Sequence, residues 1–170
     1  SHGKGLMGII DGIPAGLEIS ESYISSQLLR RQNGYGRSSR MKIENDFAEI
    51  YTGIRHGKTL GGPIGLIIEN KDWKNWTSKM SIDSVEEVKK INLPRPGHAD
   101  LTGIQKFGFD DVRNILERSS ARETAMRVGL ASICRKLLKE VGIEVGSRVV
   151  QIHSVKDSSN MPNEISPEQL

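Results

Sequence analysis

The chain has 170 residues, of which 36% are hydrophobic, so it has the size of one globular domain and enough apolar side chains for a buried core. Its 24 Lys and Arg residues interleave with 21 Asp and Glu residues, and the net charge of +3 argues against the broad basic stripe of a nucleic-acid-binding protein. No apolar run approaches the roughly 20 residues of a membrane span, and no secretory signal pattern precedes the first motif. We therefore expect a cytoplasmic protein without membrane or nucleic-acid partners.

The first predicted elements are a strand and a helix. Residues 6–11 are apolar and are followed by turn residues, which predicts a short buried strand. Ser20 then has the side chain of a helix cap, and Ile24 and Leu28 share one face of a helix that extends to about Arg31. The helix dipole favours basic residues in the last turn, which is by itself a structural explanation for the arginines found there.

Two further strands are predicted on either side of a glycine-rich connection. Residues 48–54 alternate between apolar and polar side chains, which is the period of a half-exposed strand. Residues 63–69 form a second apolar run, and the sequence RHGKTLGG joins the two. This arrangement indicates a β-hairpin and hence an antiparallel sheet.

The next segment, residues 72–94, is polar and predicts an exposed excursion with a short helix at about 85–90. Trp73 and Trp76 lie near its start. Indole rings can stack on the ring of a ligand, but two tryptophans without further aromatic neighbours are a weak indication of it.

The longest helical pattern begins after Arg118 and ends at Gly142. Ser120 and Glu123 have the spacing of a capping box at its start. Its apolar residues at helical spacing are Met126, Leu130, Ile133, Leu137 and Val141. Cys134, the single cysteine, lies in this helix and cannot form an intrachain disulfide, so we predict a packed thiol in a reducing compartment.

The order of these elements predicts an α+β fold. A strand is expected near residues 145–153, so strands, a long buried helix and strands follow one another, with helices packed on antiparallel sheets. The chain has no initiator methionine at Ser1, and Ser166 and Pro167 have the pattern of a helix start close to the C-terminus. We therefore interpret the chain as part of a longer polypeptide.

Arginines recur in glycine- and serine-rich surroundings. Four lie in the segment RRQNGYGRSSR, which has too few apolar residues for an ordinary helix face. Because the guanidinium fork matches carboxylate and phosphate oxygens two at a time, such a cluster indicates a small polyanionic ligand, although solvated surface charge is the alternative. The arginines are Arg30, Arg31, Arg37 and Arg40, with Arg95 in RPGHAD and Arg118 and Arg122 in RSSARE.

The segment RSSARE combines two hydroxyls and two guanidiniums with the expected start of a helix. A helix N-terminus presents backbone amides and the positive end of a dipole, so we predict a phosphate-binding site that includes Arg118 and Ser119. Simple capping by Ser120 is the structural alternative, but a cap needs neither of the other two residues.

Two histidines, His2 in SHGKG and His98 in RPGHAD, lie in glycine-flanked turns beside basic residues. Histidine both accepts and donates protons near neutral pH, so acid catalysis on an anionic substrate is the function that these residues suggest. A single loop histidine is usually only a surface residue, and His56 and His153 lack the same surroundings. The sequence contains no zinc-ligand pattern, no Walker loop and no dinucleotide fingerprint.

Four segments together resemble the chorismate synthase family, which catalyses the last step of the shikimate pathway. They are SHGKGLMGIIDGIPAG, RRQNGYGRSSRMKIEND, RPGHADLTG and RSSARETAMRVGLASIC, and they occur in the order found in the family. The resemblance extends over essentially the whole chain. It implies that residues 1–170 are the N-terminal part of one chorismate synthase domain, with the C-terminal half absent.

The resemblance implies a lyase reaction. In this family, 5-enolpyruvylshikimate 3-phosphate loses phosphate and a ring hydrogen in a trans-1,4 elimination that gives chorismate, a precursor of aromatic amino acids. Reduced FMN is required without net redox change, and NADPH is used only by bifunctional members. The substrate carries two carboxylates and a phosphate, which agrees with the polyanion that the arginines indicate.

The resemblance also implies roles for individual residues. His2 matches the family histidine that protonates the departing phosphate, and His98 matches the histidine that protonates the reduced flavin. The matches for substrate contacts are Arg31, Arg37, Arg40, Arg95 and Arg122, of which Arg31 and Arg37 are assigned to NADPH in bifunctional members. The matches for FMN binding are Arg118, Ser119 and Ser120. No metal ligand is implied.

Full-length members of the family have helices sandwiched between two antiparallel sheets and assemble as homotetramers. A chain without the C-terminal half is expected to expose apolar surface and to be inactive by itself. An arginine-rich module that binds anions or RNA through RRQNGYGRSSR is the alternative function, because flexible arginine-rich segments bind phosphate backbones.

Overall fold

The centre of the fold is a three-stranded antiparallel sheet. The computed structural model describes residues 2–33, 45–83 and 89–158. Strands β1 (Gly5–Ile10), β2 (Ala48–Thr52) and β5 (Ile64–Glu69) lie in the order β1-β5-β2, and both outer strands pair antiparallel with β5. The predicted antiparallel pairing of the second and third strands is thus confirmed.

Two short hairpins accompany this sheet. The connection between β2 and β5 contains β3 (Ile54–Arg55) and β4 (Lys58–Thr59), which pair with each other. Near the end of the described residues, β6 (Gln151–Ile152) pairs with β7 (Val155–Lys156).

Four helices complete the described part of the chain: α1 (Glu21–Gln32), α2 (Asp100–Phe107), α3 (Arg113–Ser119) and α4 (Glu123–Glu140). A single 3₁₀ turn (Trp73–Asn75) follows β5. Helix α1 begins as predicted, because the Ser20 hydroxyl accepts a hydrogen bond from the Tyr23 amide at 3.2 Å. None of the helices in the described ranges is both long and apolar enough to cross a membrane.

Helices α1 and α4 pack against each other and cover one face of the sheet. Ile24 and Leu28 of α1 are completely buried, which confirms the predicted apolar face of this helix. Helix α4 rests directly on the backbone of β1, since a Cβ atom on Gly8 would lie 2.7 Å from atoms of Met126 and Leu130. The resulting helix-on-sheet layers confirm the α+β class.

The opposite face of the sheet carries exposed apolar side chains. Met7, Ile9 and Tyr51 are between 67% and 72% exposed. Apolar groups at neighbouring positions on one sheet face are the kind of surface that a soluble monomer normally covers. The expectation of exposed apolar surface therefore agrees with the structure.

Several predicted elements differ from the structure. The strand predicted for residues 48–54 ends at Thr52, because Gly53 has a φ of +88° and turns the chain into β3. The strand predicted for residues 145–153 is wrong for most of its length, since only Gln151–Ile152 within it forms a paired strand. The thiol of Cys134 is exposed rather than packed. Most of the short helix predicted at 85–90 lies outside the described residues.

Gly53→Ala is expected to destabilise the full-length protein by about 2–4 kcal/mol, because alanine combines a left-handed conformation with steric overlap. A Cβ atom there would lie 2.5 Å from the Pro63 carbonyl oxygen and 2.7 Å from Ile64 Cα. Urea unfolding measures the change. The matched control is Gly62→Ala, where a Cβ atom meets nothing within 4 Å, and equal losses in the two variants would contradict the interpretation.

Candidate active site

A buried carboxylate brings together two arginines that are far apart in the sequence. Arg122 Nη1 donates a hydrogen bond to Asp46 Oδ1, and Arg31 Nη1 lies 3.6 Å from Asp46 Oδ2. The exposed side-chain fractions are 1% for Asp46, 4% for Arg122 and 15% for Arg31. Two guanidiniums from distant parts of the sequence therefore face the same buried carboxylate at a partly enclosed position.

Arg31 also ties the end of α1 to the start of α4. Its Nε and Nη2 atoms donate to Thr124 Oγ1 at 3.1 and 2.9 Å, and Nη2 donates to the Ala121 carbonyl at 3.2 Å. The helix dipole alone therefore does not explain Arg31, because its side chain makes these specific hydrogen bonds to the start of α4. Of the predicted arginines in RRQNGYGRSSR, Arg37 and Arg40 lie outside the described residues.

The segment RSSARE joins α3 to α4, and its predicted capping box is wrong. Helix α3 continues to Ser119, whose hydroxyl donates to the Ile115 carbonyl at 2.7 Å. The Ser120 hydroxyl accepts from the Arg122 amide at 3.2 Å instead of capping Glu123. The Glu123 amide already donates to the Ser120 carbonyl at 3.1 Å, so the expectation of available amides fails at this position.

Arg118 extends into solvent at the end of α3. Its guanidinium carbon lies 5.2 Å from the centre of the Phe107 ring, a cation–π distance that restrains the side chain. The side chain remains solvent-exposed, so its guanidinium is accessible to an anionic group. The Ser120 hydroxyl, which accepts one bond, still has its proton to donate, whereas the Ser119 hydroxyl has donated its proton and fits only as an acceptor.

His2 is buried, with only 5% of the residue exposed. Its amide donates to Glu117 Oε2 at 2.7 Å, and its Nδ1 lies 3.9 Å from the same oxygen. The Trp76 ring packs edge-on against the imidazole with 4.3 Å between centroids, and Trp76 Nε1 donates to Asp72 Oδ2 at 2.8 Å. The start of the polar segment is therefore packed on His2 and is not a wholly exposed excursion.

Sequence reasoning missed Glu117 and Trp76 as contacts of His2. Glu117 lies 115 residues away along the chain, so no local pattern pointed to it. In the sequence the two tryptophans indicate at most stacking on a ligand, but the ring that Trp76 contacts is the imidazole of His2. Trp76 is also far from His2 in the sequence, so no local pattern related these two rings.

The third group of site residues lies at the start of α2. The Arg95 carbonyl accepts from the His98 amide at 3.3 Å, and Gly97 has a φ of +71°, which together with Pro96 is the pattern of a type II turn. This turn places the Arg95 and His98 side chains beside the first residue of α2, Asp100. The local order RPGHAD therefore explains why these side chains meet.

Asp100 is completely buried and is held by several donors. Arg95 donates to it from Nε at 2.8 Å, from Nη2 at 2.9 Å and from its backbone amide at 2.9 Å. His98 Nδ1 lies 2.7 Å from Asp100 Oδ1. The hydrogen bonds from the Arg95 side chain hold the pKa of Asp100 well below its usual range, although burial acts in the opposite direction.

This lowered pKa predicts how stability depends on pH. Because the folded state binds the Asp100 proton more weakly than the unfolded state does, the stabilisation is complete above the unfolded pKa of about 3.9 and is lost as the pH falls below it. The stability difference between the full-length protein and its Asp100→Asn variant should shrink as the pH falls below about 5. Urea midpoints at several pH values test this, and a difference that grows on acidification would contradict it.

Consecutive helices connect the three groups of candidate site residues, which are those around Asp46, His2 and Asp100. Asp100 begins α2, α2 packs against α3, Glu117 lies on α3, and Arg122 precedes α4. It brings Arg31 together with Arg122, and Arg95 together with His98. Arg31 and Arg122 are largely buried against Asp46, which is unlike the exposed basic surface of an RNA-binding module.

Comparison with known proteins identifies the family. The family model for chorismate synthase matches residues 1–169. The chorismate synthase of Chlorobium luteolum is 56% identical over 162 residues, which is 94% of this chain and 41% of that protein. The corresponding protein of Aquifex aeolicus is 53% identical and covers 100% of this chain and 44% of its own length.

A solved structure gives the same result for the fold. A crystal structure of chorismate synthase superposes with a TM-score of 0.70 at 44% identity, over 92% of this chain and 37% of that chain. The chain thus spans less than half of the length of these relatives. Together with the match over residues 1–169, this shows that the chain belongs to the chorismate synthase family.

Proposed function

We propose that the full-length protein containing this chain is a chorismate synthase. It would be a lyase that eliminates phosphate from 5-enolpyruvylshikimate 3-phosphate to form chorismate. Family membership supports the reaction class, and the two guanidiniums gathered at Asp46 are the observation on this chain that best supports a polyanionic substrate. Assembly as a cytoplasmic homotetramer is part of the same proposal.

The substrate would be bound mainly by arginine. Arg31 and Arg122 bring two guanidiniums to one partly enclosed position, so a phosphate or carboxylate bound beside them would gain electrostatic stabilisation. Arg37 and Arg40 belong to the same proposed set. Such preorganised positive charge stabilises the negative charge that gathers on the phosphate as its bond to carbon breaks.

Reduced FMN would be held through its phosphate by Arg118 and Ser120, with Ser119 as an acceptor for a hydroxyl group. When bound, reduced FMN would supply a transient electron and a proton acceptor for the ring hydrogen, as the family resemblance implies. NADPH would be a cofactor only if the protein also reduces its own flavin.

The two histidines would supply the proton chemistry on the protein side. His2 is held by Glu117 and Trp76 in a position where water is largely excluded, so a proton on its ring would pass to the departing phosphate rather than to solvent. His98 is partly exposed, and its Nδ1 is engaged by Asp100, which leaves Nε2 as the atom that holds or exchanges a proton.

The test uses the protein encoded by the complete open reading frame. The purified protein is supplied with enolpyruvylshikimate phosphate and chemically reduced FMN without oxygen, and chorismate and inorganic phosphate are measured. We expect equal amounts of the two products, because the elimination releases one phosphate for each chorismate. Phosphate without chorismate, or neither product, would contradict the proposed function.

A further inference from the structure

We propose that Asp100 is a positioning residue that fixes the tautomer of His98, and that Arg95 acts through Asp100 rather than as a direct substrate contact. The proposal rests on the proposed function, because it assigns His98 its proton-transfer role there. It differs from the family resemblance, which places Arg95 among the substrate contacts and gives Asp100 no role.

The geometry at His98 Nδ1 carries the argument. This nitrogen lies 2.7 Å from Asp100 Oδ1 and 3.0 Å from Arg95 Nη2. A guanidinium only donates hydrogen bonds and an ionised carboxylate only accepts them, so the two neighbours require opposite states of Nδ1. If Nδ1 carries a proton it bonds to Asp100, and if it carries a lone pair it accepts from Arg95.

Three observations favour the protonated Nδ1. The contact with Asp100 is the shorter of the two, and Arg95 Nη2 already donates to Asp100 Oδ1 at 2.9 Å. Asp100 is completely buried, so its charge at this oxygen is weakly screened by water. The low pKa of Asp100 means that the carboxylate is ionised at neutral pH and acts only as an acceptor.

A proton fixed at Nδ1 leaves Nε2 as the exchanging atom. The imidazolium form loses the Nε2 proton to its acceptor and becomes the neutral Nδ1–H tautomer, and it regains that proton when it is reprotonated. The Nδ1–H bond to Asp100 persists in both forms, so the ring does not have to turn between the two states.

Arg95 is already committed to the carboxylate. Its Nε and Nη2 atoms form a two-point pair with Asp100, and its amide adds a third bond to the same side chain. These contacts hold Asp100 in place at the start of α2, in the turn that also carries His98. Arg95 therefore influences His98 through the position and the charge of Asp100.

A double-mutant cycle in the full-length protein tests the proposal. His98→Ala should lower kcat by about 10²-fold or more, as expected for a lost proton donor. Asp100→Asn should lower kcat by about 10-fold to 100-fold with little change in KM, because it removes part of the contribution that His98 makes to the reaction. In the His98→Ala background, Asp100→Asn should cause no further loss of kcat. An equal loss in both backgrounds would show that Asp100 serves only the fold and would overturn the proposal.

Nitrogen-15 NMR of histidine-labelled protein provides a readout that does not depend on turnover. The His98 signals, identified by their absence in His98→Ala, should show the Nδ1–H tautomer in the wild type and a shift toward the Nε2–H tautomer in Asp100→Asn. A wild-type Nε2–H tautomer would mean that Nδ1 accepts from Arg95, which overturns the proposal. Failure of the wild type to form chorismate would contradict the proposed function, and the spectra would still decide the role of Asp100.

Arg95→Gln gives a second route if Asp100→Asn does not fold. We expect a lower kcat at nearly unchanged KM, and no further loss in the His98→Ala background. An increase in KM for enolpyruvylshikimate phosphate at unchanged kcat would identify Arg95 as a direct substrate contact and overturn this part of the proposal.

Discussion

Arg122→Met in the full-length protein should lower the free energy of unfolding by about 3–5 kcal/mol, since it removes one partner of a buried ion pair. Asp46 is 1% exposed and, among the described residues, would keep the longer contact of 3.6 Å with Arg31. Methionine retains most of the volume of the arginine side chain, so the loss reports the charge left behind in the interior and not a cavity. Urea unfolding at neutral pH measures the change.

Arg127→Met is the matched control because Arg127 lies in the first turns of α4, the helix that Arg122 precedes, and has a surface ion pair. Its Nη2 atom lies 2.9 Å from Glu123 Oε1, and its side chain is 73% exposed. Water screens such a pair, and we expect a loss of about 0.5 kcal/mol or less. Similar losses in the two variants would mean that burial at Asp46 does not determine the energy of the pair.

Adding Asp46→Asn to Arg122→Met separates the energetic cost of the buried charge from the effect of changed packing. In Arg122→Met, Asp46 has lost its hydrogen-bonded arginine and keeps the 3.6 Å contact with Arg31, so replacing this buried carboxylate by a neutral amide should recover part of the lost stability. A double variant that is less stable by the full sum of the single losses would contradict a direct interaction between the two residues.

The elements that could be predicted are those with local signals. Ser20 and the spacing of Ile24 and Leu28 predicted α1, and the side chains lie as expected. The alternation after Ala48 and the apolar run before Glu69 predicted an antiparallel pair, which β2 and β5 form. In each case, the residues that decide the structure are neighbours in the sequence.

Helices α2 and α3 were not predicted because their local signals are weak. They have 8 and 7 residues, and neither has a side-chain hydrogen bond at its N-cap. Gly103 within α2 further lowers its helix propensity. Helix α3 extends to Ser119 and takes up the residues that had the pattern of a new helix start, which is why the capping box was wrong.

The candidate site, like the fold, could be predicted only where its signals are local in the sequence. Its arginines and histidines were found from residue type and glycine-rich surroundings, but their partners were not. Asp46 lies 76 residues from Arg122 in the sequence, and no local pattern relates the two. Only the adjacent segment RPGHAD contained a complete cluster, because a turn of four residues brings Arg95 to His98. Contacts made by distant segments depend on the packing of the helices, which composition and periodicity do not specify.

His2→Ala should lower kcat of the full-length protein by about 10²-fold or more, because it removes the proposed proton donor for the departing phosphate. This substitution also changes packing, since the centroids of the imidazole and the Trp76 ring lie 4.3 Å apart. Loss of that edge-on contact would cost about 0.5–1.5 kcal/mol of stability in addition to the chemistry. Turnover and urea unfolding should therefore be measured on the same preparations.

His2→Phe separates the two roles, because phenylalanine keeps an aromatic ring against Trp76 and cannot transfer a proton. We expect it to recover part of the stability lost in His2→Ala while kcat stays about 10²-fold or more below the wild type. His56→Asn is the control for loss of a turn histidine, since His56 is exposed in the β3–β4 turn with a φ of +50° that asparagine tolerates, and it should leave kcat unchanged. If His2→Phe restored turnover together with stability, then His2 would act through its packing on Trp76, and the proton for the phosphate would have to come from another group.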